Sequence, residues 1–315
     1  MRAMRPPRSM RLLACGATLV VASAGGCATV GVEFPHLAEP TQAPARPAVA
    51  GRPKVALALG SGGTRGFAHV GVIKALEAAG IRPDLIVGTS AGSVVSALYA
   101  AGYDSRELEA LDVEPLSLLD IALLDGGKVR GLALQSFINR RLEGRAIEAL
   151  PREFAAVATR ASDGAMTIFN RGNARLAVRA SSAMRWRFIW PVIAGETYID
   201  GVDASPVPIR AARRLGADVV IAVNVIVRRD RMNENTRWRG YYEYRLRMID
   251  EEARDADVVI HPDTGESAGL SADYRRQVIA AAEAATREQL GRIKAAIAAK
   301  TRLAATLQRQ AAGSS

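Results

Sequence analysis

The 315 residues contain only two cysteines, Cys15 and Cys27, and no apolar run long enough to indicate a polytopic membrane protein. There is no internal repeat, so a solenoid or propeller array is excluded. No basic helix interleaved with aromatics stands behind the net charge of +10, so nucleic acid is not indicated as a partner. Four of the basic residues, Arg2, Arg5, Arg8 and Arg11, fall in the first 26 positions, which carry no acid. Without them, 38 of the 42 basic residues face 32 acidic ones. That excess favours an anionic surface such as phospholipid headgroups and is too small to argue for a polyanion. What is present, 49% apolar and 23% charged residues, is ordinary globular composition, long enough for one large domain or two small ones.

The four arginines precede an apolar stretch, 12–22, followed by Ser23, Ala24, Gly25, Gly26 and Cys27. This is the layout of a secretory signal and is short for a spanning helix. Small residues directly before a cysteine resemble the lipobox of bacterial lipoproteins, although Ala24 stands where Leu is more frequent. The resemblance implies a signal peptide over 1–26, lipidation of Cys27, and a membrane-anchored place in the bacterial cell envelope, on the periplasmic side or in the outer membrane. A plain cleaved signal with an incidental cysteine is the alternative. With Cys15 removed and Cys27 acylated, the lack of a disulfide carries no argument about compartment. Residues 27–53, rich in Pro, Ala and Thr, are expected to form a tether, and a folded domain is expected over 54–310.

From Lys54 the pattern changes. Val55-Ala56-Leu57-Ala58-Leu59 is a continuous apolar run ending in glycines, as a buried parallel strand would be. Helical spacing over 67–79 closes at Gly80, a second strand covers 85–87, and a second helix over 93–101 closes at Gly102. Strand-like runs return at 154–159, 166–169, 197–199, 219–227 and 257–260. A long Ala-rich helix is predicted over 274–307. Strand and helix alternating through short loops predict a three-layer α/β/α domain with a mainly parallel central sheet.

Two loops carry chemistry. Gly88-Thr89-Ser90-Ala91-Gly92 lies between the second strand and its helix. A serine hydroxyl becomes a nucleophile when a tight strand-to-helix turn presents it beside a base, and flanking glycines keep neighbouring side chains out of that turn. One strand earlier, Gly60-Ser61-Gly62-Gly63-Thr64-Arg65-Gly66 points backbone N–H groups into a concavity at a helix start. A dinucleotide fingerprint would need glycine where Arg65 stands, and a P-loop would need Gly-Lys-Ser/Thr at its end. An oxyanion hole fits both the glycines and the serine that follows.

The run 57–76 with 83–92, Ala177-Val178-Arg179-Ala180-Ser181, Tyr198-Ile199-Asp200-Gly201 with Pro206-Val207-Pro208, and the segment 257–263 resemble the patatin-like phospholipases, over roughly residues 54–290. The resemblance implies a serine lipid acyl hydrolase of carboxylic esters (phospholipase, lysophospholipase or esterase), using no metal or cofactor. It implies Ser90 as nucleophile, Asp200 as base, Gly62, Gly63, Arg65 and Gly66 as the oxyanion loop with Arg65 bracing it, and Gly88 and Gly92 as the elbow. Two stretches depart from the pattern. Val202 stands where Gly or Ala follows Asp-Gly, and 184–190 (Met-Arg-Trp-Arg-Phe-Ile-Trp) replaces an Ile-Pro-Gly turn. These departures motivate the alternative of a non-catalytic lipoprotein of the same fold that binds lipid or a protein partner.

Ser90, Asp200 and His261 also occur in the chain order of a hydrolase triad, a rival to the two-residue mechanism. His69, within a turn of the oxyanion loop, is expected to pack or brace it. Finally, 227–248 mixes seven arginines with Trp238, Tyr241, Tyr242 and Tyr244. Such a segment suits either a bilayer headgroup layer or a solvated loop and helix face.

Overall fold

Five apolar runs build the centre of the molecule. The computed structural model describes residues 37–49, 51–111, 124–125, 128–266 and 268–313, all within the unit Glu33–Ser315. The signal peptide expected over 1–26 and Cys27 lie outside the described residues. In chain order the strands are β1 Val55–Leu59, β2 Leu85–Thr89, β3 Leu124–Asp125, β4 Lys128–Val129, β5 Glu153–Arg160, β6 Met166–Phe169, β7 Val192–Ile193, β8 Glu196–Asp200, β9 Val219–Val223 and β10 Val258–Ile260. The α-helices are α1 Ala68–Ala78, α2 Ala91–Ala100, α3 Ser105–Ala110, α4 Leu132–Arg141, α5 Ala174–Ser181, α6 Ile209–Arg214, α7 Arg239–Glu252 and α8 Ala272–Gly313. No helix of the described residues is long and apolar enough to cross a membrane.

The sheet order is β10-β9-β1-β2-β5-β8-β7, with β6 also on β5 and β3–β4 forming a separate hairpin. From β10 to β5 all pairings are parallel, whereas β6 and β8 run antiparallel to β5. Alternate side chains of the buried strands point to opposite faces. Val55, Leu57, Leu59, Phe154 and Ile221 meet the layer containing α1, α2 and α8. Ala56, Ala58, Ala155 and Ala222 meet α6 and α7. Each large apolar side chain buried on the first face contributes about 1.5–3 kcal/mol. The alanines on the second face let the six-residue α6 lie close to the sheet.

One edge of β5 carries two strands in succession. Glu153–Val157 pairs with β2, and the next three residues pair with β8, placing Ala158 opposite Asp200. Because β2 is parallel to β5 and β8 antiparallel, the two strands run head-on. Their carboxyl ends meet where Val157 gives way to Ala158, and β6 takes the other edge.

The expected three-layer α/β/α fold is present, with local differences. The strand expected over 219–227 stops at Val223, because the Asn224 side-chain oxygen accepts the Ile226 N–H at 3.0 Å and turns the chain. Part of the stretch composition assigns to a tether is stitched to the domain: Thr41 N–H donates to Arg171 O at 3.0 Å, and Asn173 N–H to Ala38 O at 2.9 Å. Proline-rich backbone shows no periodicity, yet its remaining N–H and C=O groups still find partners.

The final helix closes the core against α1 at Gly71, where a Cβ would lie 2.0 Å from Ile279 O and 2.9 Å from Glu283 N. Gly71→Ala is expected to destabilise the domain by about 2–3 kcal/mol through forced separation of the helices. Urea unfolding followed by circular dichroism checks it, and an unchanged midpoint contradicts this packing.

Candidate active site

Thr89 ends β2, and the chain then turns sharply into α2. Ser90 at the turn has φ 55° and ψ −123°, a left-handed backbone conformation that costs a non-glycine residue about 1–3 kcal/mol. Three hydrogen bonds offset the strain. Ser90 N–H donates to Ser181 Oγ at 2.9 Å, while Ser90 O accepts from Ser93 Oγ at 2.7 Å and Ser93 N–H at 2.8 Å. The flanking glycines are required by backbone on two sides. A Cβ on Gly88 would sit 2.4 Å from Gly92 O, and one on Gly92 would sit 2.1 Å from Leu59 O of the adjacent strand.

The head-on meeting of β2 and β8 brings Asp200 to this turn. Ser90 Oγ donates to Asp200 Oδ2 at 2.7 Å, and the other carboxylate oxygen accepts the Val202 N–H at 2.9 Å. Thr159 Oγ1 donates to Asp200 O at 2.8 Å and Asp200 N–H to Ala183 O at 2.9 Å, so both sides of the residue's backbone are fixed. Ser90 is 9% exposed and Asp200 1%. Burial pushes the Asp200 carboxyl up to about 7, against the opposing pull of the hydrogen bonds from Val202 and Ser90. A carboxyl raised this far can exchange a proton near neutral pH, which an ordinary carboxylate near 3.9 is too acidic to do. Val202 is buried and its N–H serves Asp200, so the branched residue is accommodated within the loop.

The glycine-rich loop is anchored by Gly60 N–H to Val223 O, Ser61 N–H to Pro206 O and Arg65 N–H to Gly62 O, at 3.0, 2.8 and 3.1 Å. Gly62, Gly63 and Thr64 lie between these anchors. Gly62 has Val225 Cγ2 2.5 Å from where a Cβ would be, Gly63 has φ 57°, and at Gly66 a Cβ would lie 2.7 Å from Ala91 Cβ. The loop therefore sits directly beside the first residue of α2, whose N-terminal N–H groups and dipole face the same space. Arg65 is buried and donates to Glu266 O, with its guanidinium 5.7 Å from the Tyr242 ring centroid. These contacts brace the loop. His69 Nε2 lies 2.8 Å from Gly60 O, and burial lowers its pKa to about 4. The neutral ring donates to that carbonyl and holds the loop's first residue.

An apolar cavity of about 220 Å³ opens beside the turn, lined by Gly66, Ala91, Val94, Leu98, Leu108 and Phe137 among others. A larger one of about 430 Å³ lies at the amino ends of β1 and β2, away from Ser90.

His261 is not part of the site. It follows β10, three strands from β2 and so roughly 14 Å away along the sheet. Its Nε2 lies 2.8 Å from Ile226 O, which ties the ring to the chain after β9. Chain order alone suggested the triad, and the sheet order separates its members. Conversely, sequence reasoning missed Ser181 as a partner of the Ser90 amide, although the motif ending in Ser181 is part of the family resemblance. It also missed Asp203, which receives Arg185 Nε at 2.6 Å and pairs with Arg245 of α7. No spacing rule links positions that far apart.

A family model described as Patatin-like phospholipase matches residues 57–213. An uncharacterized NTE family protein of Mycobacterium tuberculosis is 36% identical over 179 residues, covering 55% of this chain and 49% of that protein. Patatin-like phospholipase domain-containing protein 6 of Homo sapiens is 33% identical over 184 residues, covering 54% of this chain and 13% of that protein. The chain belongs to the patatin-like phospholipase family. It spans about half the length of the mycobacterial relative. Among solved structures, VipD from Legionella pneumophila shares the fold, with a TM-score of 0.52 at 15% identity over 81% of this chain and 71% of that one.

The raised carboxyl predicts a pH-dependent cost. Between the unfolded pKa near 3.9 and the folded value of about 7, the native state holds the proton more tightly, so Asp200 lowers stability as pH rises through this window. Asp200→Asn is therefore expected to be more stable than the parent by a few kcal/mol at pH 8, with the difference vanishing near pH 4. Chemical denaturation across that range measures it, and a constant difference contradicts the buried-carboxyl account.

Proposed function

We propose that this chain hydrolyses carboxylic esters of lipids with Ser90 as nucleophile and Asp200 as its only base. The observation that carries the reading is the 2.7 Å hydrogen bond from Ser90 Oγ to Asp200 Oδ2 at a strained turn, beside an apolar cavity. Family membership supports the substrate class, since the matching model and the human relative are both described as patatin-like phospholipases.

In the proposed reaction an acyl chain lies in the cavity beside Ala91, and its ester carbonyl approaches Ser90 Oγ. As Oγ bonds to the carbonyl carbon, its proton passes to Asp200 Oδ2. The carbonyl oxygen becomes an oxyanion facing the backbone N–H groups of the Gly62–Gly63 turn and the start of α2. The tetrahedral intermediate collapses as the alcohol leaves with the proton from Asp200, giving acyl-Ser90. Water then attacks the acyl-enzyme, gives its proton to Asp200, and releases the fatty acid as Ser90 recovers that proton. Ionised Asp200 is needed at the first step.

The proposal extends to location. Acylation of Cys27 would hold the enzyme at a bacterial envelope membrane, and labelling of the wild type but not of Cys27→Ala by a fatty-acid probe in cells tests it.

A fluorophosphonate is expected to label the folded protein at Ser90 and to leave Ser90→Ala unlabelled. Ser90→Ala and Asp200→Asn are each expected to lower ester hydrolysis by on the order of 10³-fold or more, whereas His261→Ala retains nearly full activity. Absence of labelling in folded wild type contradicts the hydrolase reading, and a comparable loss in His261→Ala contradicts the two-residue mechanism. The kcat/KM profile should rise with pH through a midpoint near 7, as Asp200 loses its proton. A profile flat from pH 5 to 8 is the contrary result.

A further inference from the structure

Two exposed segments flank the Ser90–Asp200 pair. One begins at Ser181, whose hydroxyl holds the Ser90 N–H, and three residues later turns Met184 and Trp186 outward, 40% and 82% exposed. The other is α7 with the residue before it, exposing Trp238, Tyr241 and Tyr244. Asp203, three positions beyond Asp200, joins the two by accepting Arg185 from the first and Arg245 from the second. The Tyr241 ring lies 5.0 Å from the Arg245 guanidinium, and its neighbour Tyr242 lies 5.7 Å from Arg65 of the oxyanion loop. The segments thus form a rim running from the Asp200 loop to the oxyanion loop. Of nine large apolar or aromatic residues exposed among the described residues, five are on this rim, including every exposed Trp and Tyr. Such concentration marks an interaction surface rather than scattered exposure.

Charge is one-sided on the stretches that carry the exposed aromatics: positions 184–187 hold two arginines and 237–247 hold four, against one acid, Glu243, which lies 3.5 Å from Arg229. The last turn of α7 adds Asp250, paired with Arg229, exposed Glu251 and buried Glu252. Arg185 and Arg245 are spent on Asp203, but Arg187, Arg237, Arg239 and Arg247 are exposed and form no ion pair among the described residues. The Arg237 guanidinium stacks 5.0 Å from the Trp238 ring centroid, presenting charge and indole together. Trp and Tyr settle at the headgroup level of a bilayer, and arginine keeps its stem in apolar surroundings while its head reaches phosphate. Uncompensated positive charge adds attraction to anionic lipid.

We propose that this rim is a docking surface for a bilayer containing anionic phospholipid, which seats the mouth of the site on the headgroup layer. The inference rests on the reading of the chain as a lipid hydrolase. A bilayer fits better than a protein partner because it can cover a rim around an open site and still deliver substrate through it.

Co-sedimentation of the full chain with vesicles tests the surface, using Cys27→Ser throughout so that no acyl chain contributes. Binding is expected to vesicles of phosphatidylcholine with phosphatidylglycerol, and to be weaker with phosphatidylcholine alone or at high salt. The double variants Trp186→Ser/Trp238→Ser and Arg187→Gln/Arg237→Gln, checked for an unchanged melting midpoint, should each bind the mixed vesicles about tenfold or more weakly. Unchanged binding in both variants overturns the proposal, as does equal binding to neutral and anionic vesicles or none to either; the last result would favour a protein partner for the rim. Hydrolysis of a water-soluble short-chain ester by the same preparations separates the two claims. If the parent fails to cleave it, the hydrolase reading fails while the vesicle result still decides the rim.

Discussion

The shared edge of β5 is the constraint on which the site depends. Five residues pair with β2 and the next three with β8, so two chain segments more than a hundred residues apart end within hydrogen-bonding distance. The pairing is backbone to backbone and fixes position to within the spacing of a ladder, before any side chain is considered. Thr89 opposite Val157 and Asp200 opposite Ala158 then leave little freedom in where Ser90 and its carboxylate meet. A register shift of either strand by one residue would turn the functional side chain to the opposite face.

Around that meeting point the molecule accepts two costs. Ser90 is held in a left-handed conformation, and Asp200 is buried where its ionised form is disfavoured. Neither would persist alone. The Ser181 hydroxyl links the Ser90 amide to Val157 O, the carbonyl at the same junction of β5, so one buried side chain bridges the strained turn and the strand that organises it. Thr159 does the same for the Asp200 carbonyl. Strain and desolvation are sustained by a sheet whose large apolar face is fully covered.

Much of the frame was legible in the sequence because buried parallel strands write themselves as short apolar runs. Residues 55–59 and 85–87, with the glycines after each, were enough to place the loop and the elbow. Asp200 was legible only through the resemblance, since an Asp-Gly step after an apolar run occurs in any β-turn. The pairings of β5 were not legible, because alternation describes faces and says nothing about which strand lies at an edge. At 184–190 the sequence shows only a departure from the family's Ile-Pro-Gly turn. Its meaning depends on Asp203 and Arg245, which join it to α7 through contacts that no local pattern encodes. His261 failed for the opposite reason: its order along the chain matched a triad, but β9 and β1 stand between β10 and β2.

The contact between Gly71 and α8 bears on the order in which the polypeptide can mature. β1 sits in mid-sheet between β2 and β9, and α1 is sealed by a helix that begins at Ala272. The glycine-rich loop between them is braced through Arg65 by the carbonyl of Glu266. As the ribosome releases the chain from its amino end, the segment that carries Ser90 appears early, and the strand and helix that cover β1 and α1 follow much later. Long-range closure of this kind slows folding, since loop entropy must be lost before the contacts form. It also ties competence to completion: a nascent fragment ending before Glu266 would expose the apolar face of α1 and leave Arg65 without its carbonyl.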